Sequence, residues 1–347
     1  MKKNAIIFIN GQPLTIQHES SGFRSIVSPY QTFSTLMETV NAVNALNGRS
    51  LTPLQHEGRL GHLPEGLPDL DNPEPVRIRK NILNMTQDER DLFINAIFSL
   101  KNNNNIILRS LYDDFVKVHI DIMNNPNWGG HGDALLPWHR LFVYHFESLL
   151  RAQPGFETVT VPYWDWTGIS FEGELPFSDD FMGGLGGYAP EHPFGAVLDG
   201  PFAYTKGRWK IVPSSDDEPT ALRRNTEGFY DYPFVGPTEL EDALSSISYP
   251  EFFGKINGIH GLIHINIGGV MQGMGSPGDP IFWLHHGMVD KTWADWQDLN
   301  QGIPHYESTR PDNPIYPDTP LEPWLIDVTR NITPIDILNY RRLYTYE

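Results

Sequence analysis

The sequence predicts a mainly α-helical protein, a four-helix bundle with long loops and little β structure, and three observations carry that expectation. Four segments between residues 110 and 299 place apolar residues at the three- and four-residue spacing of a helix face. Each of those faces includes at least one histidine. The stretches between them are rich in Gly, Pro and aromatics and hold no sustained two-residue alternation.

The first 75 residues differ in character from the remainder of the chain. The opening MKKNAIIFINGQPL has five apolar residues in a row before Asn10, Gly11 and Pro13 interrupt them, which reads as a short strand and a turn, not a secretion signal. LTPLQHEGRLGHLPEGLPDLDNPEP is rich in Pro, Gly and acidic residues without helical period. Residues 1–75 are therefore expected to form an N-terminal extension, and residues 76–347 the main domain. Thr86 and Glu89 stand at capping-box spacing ahead of Leu92, Phe93, Ile97 and Leu100, so a helix is expected to start near residue 87.

Four bundle helices come next along the chain. Over residues 110–124, Tyr112, Phe115, Val116, His119, Ile122 and Met123 share a face. Pro137 is expected to open the second, with His139, Phe142, Val143, Phe146, Leu149 and Leu150 inward. IHGLIHINI is expected to be a short helix with His260, Ile263, His264 and Ile267 on one side, ended by Gly268-Gly269. The last opens at Pro280, with Phe282, His286, Val289, Trp293 and Trp296 as its stripe; His285, one residue earlier, is turned by about 100°. About a hundred residues of loop, including PYWDWT, FMGGLGGY and GPFAYTKGRW, separate the second helix from the third.

Composition narrows the chemistry. With 347 residues the chain can bury a full core, and no run approaches the roughly 18–20 apolar residues of a membrane helix. A net charge of −18 argues against nucleic acid or an anionic membrane as partner. Together with the missing signal this leads us to expect a cytoplasmic protein. There is no cysteine, which excludes disulfides, thiolate zinc sites and iron-sulfur clusters and leaves any metal to His or carboxylate.

A single buried histidine is ordinarily a hydrogen-bonded core residue. Six together point elsewhere. They divide along the chain into His119, His131 and His139, then His260, His264 and His286. His260 and His264 lie one helical turn apart, within reach of one ion. A carboxylate-bridged iron pair needs inward Glu, which this pattern lacks, and a zinc protease motif needs Glu where Gly261 stands. Two facing three-histidine sites suit a copper pair that cycles between Cu(I) and Cu(II). Such a pair oxidises substrates with dioxygen.

HGDALLPWHRLFVYHFESLLR and IHGLIHINIGGVMQGMGSPGDPIFWLHHGMVDKTWADWQ resemble the CuA and CuB segments of the tyrosinase, catechol oxidase and polyphenol oxidase family of type-3 dicopper proteins, in its bacterial or short fungal form. VRIRKNIL, PYWDWT, DDFMGG, GPFAYTKGRW and YTYE extend the likeness over about residues 76–347. The resemblance implies a copper-dependent oxidoreductase acting on small phenols with O2. It assigns His119, His131 and His139 to CuA and His260, His264 and His286 to CuB. The His131 to His139 spacing of eight is one short of the family's pattern.

The resemblance also implies roles around the coppers. Glu251, nine residues before His260, stands where the family has a water-holding glutamate, provided Asn257-Gly258 breaks the helix between them. Gly261 replaces the Asn that helps orient that water in strong monophenolases, so oxidation of o-diphenols to o-quinones is expected to exceed ortho-hydroxylation of monophenols. Ile265 removes a cation that would attract carboxylate substrates. Asp290 is expected to support an imidazole or pair with Arg140, Phe282 to pack over the ligand rings, and Met274 to sit at the gate. Many relatives carry a C-terminal lid past the point where this chain stops, so the site is expected to be open unless residues 1–75 cover it. A full tyrosinase, an o-aminophenol oxidase and an oxygen carrier built on the same copper pair are the alternatives.

Overall fold

The computed structural model describes four strands within residues 3–33 by their backbone, and then residues 77–101, 110–123, 132–168, 174–188, 190–211, 220–226, 235–312, 314–321 and 332–347. The four strands, β1 (Lys3–Ile9), β2 (Gln12–Glu19), β3 (Gly22–Ser25) and β4 (Ser28–Phe33), form one antiparallel meander in the order β1-β2-β3-β4. Strand β1 pairs with β2 from Lys3 opposite His18 to Ile9 opposite Gln12. The expected single strand is thus the first of four. Their register sets Ala5 opposite Ile16 and Ile7 opposite Leu14.

The described chain from residue 77 onward is mainly helical. Its elements are α1 (Gln87–Lys101), α2 (Leu111–Met123), α3 (Leu135–Arg151), α4 (Pro237–Leu244), α5 (Tyr249–Ile267) and α6 (Ile281–Leu299). The capping box forms as expected: the Thr86 amide donates to Glu89 Oε2 at 2.9 Å and the Glu89 amide to Thr86 Oγ1 at 3.2 Å. Helix α3 opens two residues before Pro137, at Leu135, because proline is tolerated anywhere in the first turn, where amides lack helical acceptors. Helix α5 is one unbroken element of 19 residues, not a short helix after a break, so Asn257 and Gly258 are accommodated within it. Short strands β5 (Arg77–Arg79), β6 (Gly186–Gly187), β7 (Ala196–Val197) and β8 (Tyr344–Tyr346) complete the described elements; β5 pairs with β8 in parallel, and β6 with β7 antiparallel.

Aromatic contacts set the bundle. Phe146 of α3 stacks on Trp283 of α6 with ring centres 3.6 Å apart and planes within 3°. Trp283 in turn donates its indole proton to Tyr112 Oη at 2.9 Å, and Tyr112 donates to the Pro277 carbonyl at 2.5 Å. One chain of contacts therefore joins α2, α3, α6 and the loop before α6. Gly287 lies against this seam: a Cβ there would come within 2.8 Å of the Pro162 carbonyl, so a side chain would push α6 off the segment it packs on.

Behind the bundle lies a buried ionic network. Arg79 donates from Nε to Glu147 Oε2 at 2.9 Å, Arg77 from Nη1 to Glu147 Oε1 at 3.2 Å, and the Val161 amide to Glu147 Oε2 at 2.8 Å. Arg140 Nε meets Asp290 Oδ1 at 2.5 Å, and both Tyr344 and Tyr346 donate their hydroxyls to Asp290 Oδ2. Arg79 lies over the Tyr344 ring at 3.5 Å and Arg140 over Trp293 at 3.8 Å. Burial by itself raises the Glu147 pKa, but Arg79, Arg77 and the Val161 amide outweigh it and leave the carboxyl below its ordinary range. Such a network is costly to break one side at a time. Glu147→Ala leaves two buried guanidiniums without their carboxylate and is expected to cost about 3–5 kcal/mol in chemical denaturation; a loss under about 1 kcal/mol would show that the network contributes little.

Candidate metal centre

Five of the six expected metal-binding histidines lie among the described residues, and the structure brings them together. His119 on α2, His139 on α3, His260 and His264 on α5 and His286 on α6 are between 0% and 9% exposed. His131 lies outside the described residues. The segment just after it is fixed: Asp133, fully buried, accepts from Thr309 Oγ1 at 2.6 Å and from the Ile315 amide at 3.1 Å.

The orientation of each imidazole follows from what its Nδ1 faces. His119 Nδ1 lies 2.6 Å from the Met274 carbonyl, His139 Nδ1 lies 2.9 Å from the Leu135 carbonyl, and His264 Nδ1 lies 2.7 Å from the Met271 carbonyl. A carbonyl can only accept, so these three rings carry their proton on Nδ1 and leave Nε2 as a lone pair. His119 and His139 then point those lone pairs at one another across 3.4 Å, and His264 and His286 Nε2 are likewise 3.4 Å apart. Two unprotonated nitrogens facing each other in a buried site repel. A metal cation between them removes the conflict, and about 3.3 Å is the separation of two nitrogens bound to one ion at tetrahedral angles.

The two halves of the site touch. His139 stacks on His286 with ring centres 4.1 Å apart and planes at 11°, which places the α2/α3 pair directly against the α5/α6 set. Phe282 packs over the rings as expected, 4.2 Å from His286 and 5.3 Å from His119 between centres. Asp290 pairs with Arg140 and two tyrosines, not with an imidazole; it secures the far side of α6, one turn beyond His286.

His285 is the residue that periodicity set aside. It is fully buried, and potential ligand atoms of His260, His264, His285 and His286 all lie within 4.8 Å of one another. Its Nδ1 accepts from the Trp166 indole at 3.1 Å, so Trp166, within the PYWDWT stretch, fixes this ring. A helix buried on every side hides residues that the apolar stripe alone does not select.

Glu251 requires correction. With α5 continuous, nine residues place it about 13.5 Å along the helix from His260 and on the opposite face. There it sits in the exposed first turn, accepting from the Ile247 amide at 3.2 Å and pairing with Lys255 at 3.1 Å. The hydrogen bond from Lys255, then the one from the Ile247 amide, hold its pKa below the ordinary carboxylate value, so it is a helix-capping carboxylate. Gly261 lies beside the site, and a Cβ added to it would meet nothing within 4 Å. Met274 is 38% exposed, and it is its carbonyl that holds His119.

The loop from Gly268 to Pro280 does not stand out as a unit in the sequence, yet it supplies the carbonyls for His264 and His119. Gly268 and Gly269 adopt φ of +71° and +54°, and a Cβ on Gly269 would lie 2.1 Å from the Arg223 carbonyl, so glycine is required there. Arg224 forks onto Asp279 with two 2.8 Å bonds and closes the other end. The glycine pair is legible as a helix end; that it also turns carbonyls toward two histidines is not.

Burial keeps three imidazoles neutral. Desolvation, then the neighbouring histidines, holds His286 well below its ordinary pKa, desolvation does the same for His285, and desolvation followed by Arg77 lowers His145 to about 3. In the unfolded chain these groups protonate near pH 6.5, so the unfolded state binds more protons below that pH and folding weakens as pH falls, by up to about 1.4 kcal/mol per pH unit for each group. For His145 the loss continues down to about pH 3. Metal-free protein is therefore expected to melt at progressively lower temperature from pH 7 to pH 5, and His145→Leu to flatten that slope; identical slopes would show that His145 is not held neutral.

Comparison with known proteins agrees with this geometry. Residues 109–299 match the common central domain of tyrosinase. The chain is 33% identical to the grixazone synthase of Streptomyces griseus, over 78% of this chain and 99% of that protein, and 30% identical to a tyrosinase of Streptomyces antibioticus, over 78% and 100%. Among solved structures it is similar to a polyphenol oxidase variant from Thermothelomyces thermophila, with 26% identity, a TM-score of 0.55 and coverage of 69% and 73%. An octopus hemocyanin unit shares the fold at 22% identity and a TM-score of 0.54, over 78% of this chain and 68% of that one. Two copper ions are the cofactor that this donor set fits, and the chain belongs to the tyrosinase family of copper oxidoreductases.

Proposed function

We propose that this enzyme is chiefly an o-diphenol oxidase, with weak ortho-hydroxylation of monophenols. The observation that carries the reading is the lack of a proton-accepting side chain at Gly261, together with the placement of Glu251 on the opposite face of α5. When bound, the copper pair supplies dioxygen activation and two-electron oxidation. His119, His139, His260, His264 and His286 would hold it, and His131 is the sixth donor that the resemblance supplies.

The protein's own contribution is to receive the phenol and manage its protons. Converting an o-diphenol to an o-quinone releases two electrons and two protons, and reduction of one O2 to two waters consumes those from two diphenols. A phenol with a pKa near 10 must lose its proton on arrival at neutral pH, so a monophenolase needs a base held at the entrance. Neither Gly261 nor Glu251 provides one. Ile265 and Met274 are exposed, one directly after His264 on α5 and the other in the following loop, and they offer an apolar, uncharged rim. Such a rim favours small neutral phenols and o-aminophenols over free amino acids.

Gly261→Asn tests the reading directly. The site has room for the side chain, and asparagine is no worse than glycine inside a helix, so the fold should be unaffected. The ratio of tyrosine hydroxylation to catechol oxidation is expected to rise about tenfold or more; wild-type protein that hydroxylates tyrosine as fast as it oxidises catechol would overturn the assignment. Ile265→Arg is expected to lower KM for a carboxylate-bearing catechol several-fold, about 1 kcal/mol for a partly exposed charge pair, with KM for plain catechol unchanged. Equal effects on both substrates would show that Ile265 does not face the bound phenol.

A further inference from the structure

One loop serves both halves of the metal centre. Met271 and Met274 lie three residues apart in the Gly268–Pro280 connection, and their carbonyls face His264 Nδ1 at 2.7 Å and His119 Nδ1 at 2.6 Å. These two histidines come from opposite halves of the site, His119 on α2 and His264 on α5. The connection between helices thereby becomes a bridge between ligand sets.

Both ends of that loop are fastened to the same short stretch of chain. At the near end, the Asn225 amide donates to the Ile267 carbonyl at 2.8 Å, the Val270 amide to the Arg223 carbonyl at 3.0 Å, and Asn225 Nδ2 to the Asn266 carbonyl at 2.9 Å. At the far end, Arg224 meets Asp279 through Nε and Nη2, both at 2.8 Å, with the two side chains fully buried. The remaining Arg224 donors are taken by the carbonyls of Gly183 at 2.7 Å, Gly184 at 2.8 Å and Met182 at 3.1 Å, which tie the clamp to the DDFMGG segment. Asp279 also accepts the Ile281 amide at 3.1 Å, so the same carboxylate caps α6, the helix that carries His286.

We propose that Arg224 and Asp279 are positioning residues for both copper sites. Neither residue touches a metal donor. They act through two carbonyls whose placement decides which nitrogen of His119 and of His264 is presented. Because one clamp holds both carbonyls, loosening it releases the histidine of each site together. This inference rests on the copper-pair reading of the site.

The test is a copper titration of metal-free protein against a chromophoric chelator, in the wild type and in Arg224→Lys and Asp279→Asn. Arg224→Lys keeps the charge and loses the fork. Both variants are expected to bind each of the two ions about 10- to 100-fold more weakly. At two equivalents of Cu(II), wild-type protein is expected to give little isolated-copper electron paramagnetic resonance signal, because both sites fill and the paired ions cancel one another's signal. The variants are expected to give a strong signal from half-loaded molecules. Arg77→Lys, which weakens the other buried ion network without touching the Gly268–Pro280 loop, serves as the stability control and should weaken loading far less than either clamp variant.

Wild-type affinity and signal in both variants, loss at only one site, or an equal loss in Arg77→Lys would each overturn the proposal. Should the clamp variants not fold, Asn225→Ala on the same seam carries the test, with a smaller shift of both affinities in the same direction expected and no shift counting against the idea. Wild-type protein that binds fewer than two ions would instead overturn the metal-centre reading itself.

Discussion

The structure turns on imidazole nitrogens held face to face in a buried core. His119 and His139 direct lone pairs at each other across 3.4 Å inside the buried bundle. The rings cannot rotate away, because their Nδ1 protons are committed to backbone carbonyls. Stability and function are opposed here. The fold holds a cluster that repels itself and becomes favourable when cations occupy it, so the surrounding structure has to be strong enough to keep the donors in place.

That strength comes from two buried ionic assemblies on different sides of the site. Arg77, Arg79, Glu147, Arg140 and Asp290 join β5, α3 and α6, and bring in Tyr344 and Tyr346 of β8. Arg224 and Asp279 pin the loop between α5 and α6 to the loops beside it. A purely apolar core of the same volume could be as stable, but it would not fix the rotation of the helices about their axes. Forked, directional bonds do, and a metal site tolerates little rotational error.

The apolar character of the entrance follows from the same continuous helix. Because α5 runs unbroken from Tyr249 to Ile267, Glu251 in its first turn faces away from the histidines, and Gly261 and Ile265, each one residue after a histidine, border them. Glu251 is consumed by capping its own helix and by Lys255. The chemistry available at the mouth is therefore set by small and apolar residues, and it is the histidine-bound metals that would carry the reaction.

Much of this was legible in the chain itself. The 3.6-residue period placed His119, His139, His260, His264 and His286 inward, the capping box at Thr86 and Glu89 started α1 where it starts, and the lack of cysteine left imidazole as the donor, because these depend on local geometry and residue chemistry. Other features needed the folded molecule. The burial of His285 against Trp166 depends on α6 being enclosed on all sides, which a one-dimensional stripe does not report. The continuity of α5 was decided by packing that outweighs the weak helix preference of Asn257 and Gly258. The pairing of Arg224 with Asp279, 55 residues apart, and of Arg79 with Glu147, 68 apart, is a matter of which loops and helices meet in space. Residue type and period fix which groups can act; only tertiary packing decides which of them face one another, because a side chain's partner lies across the fold and not along the chain.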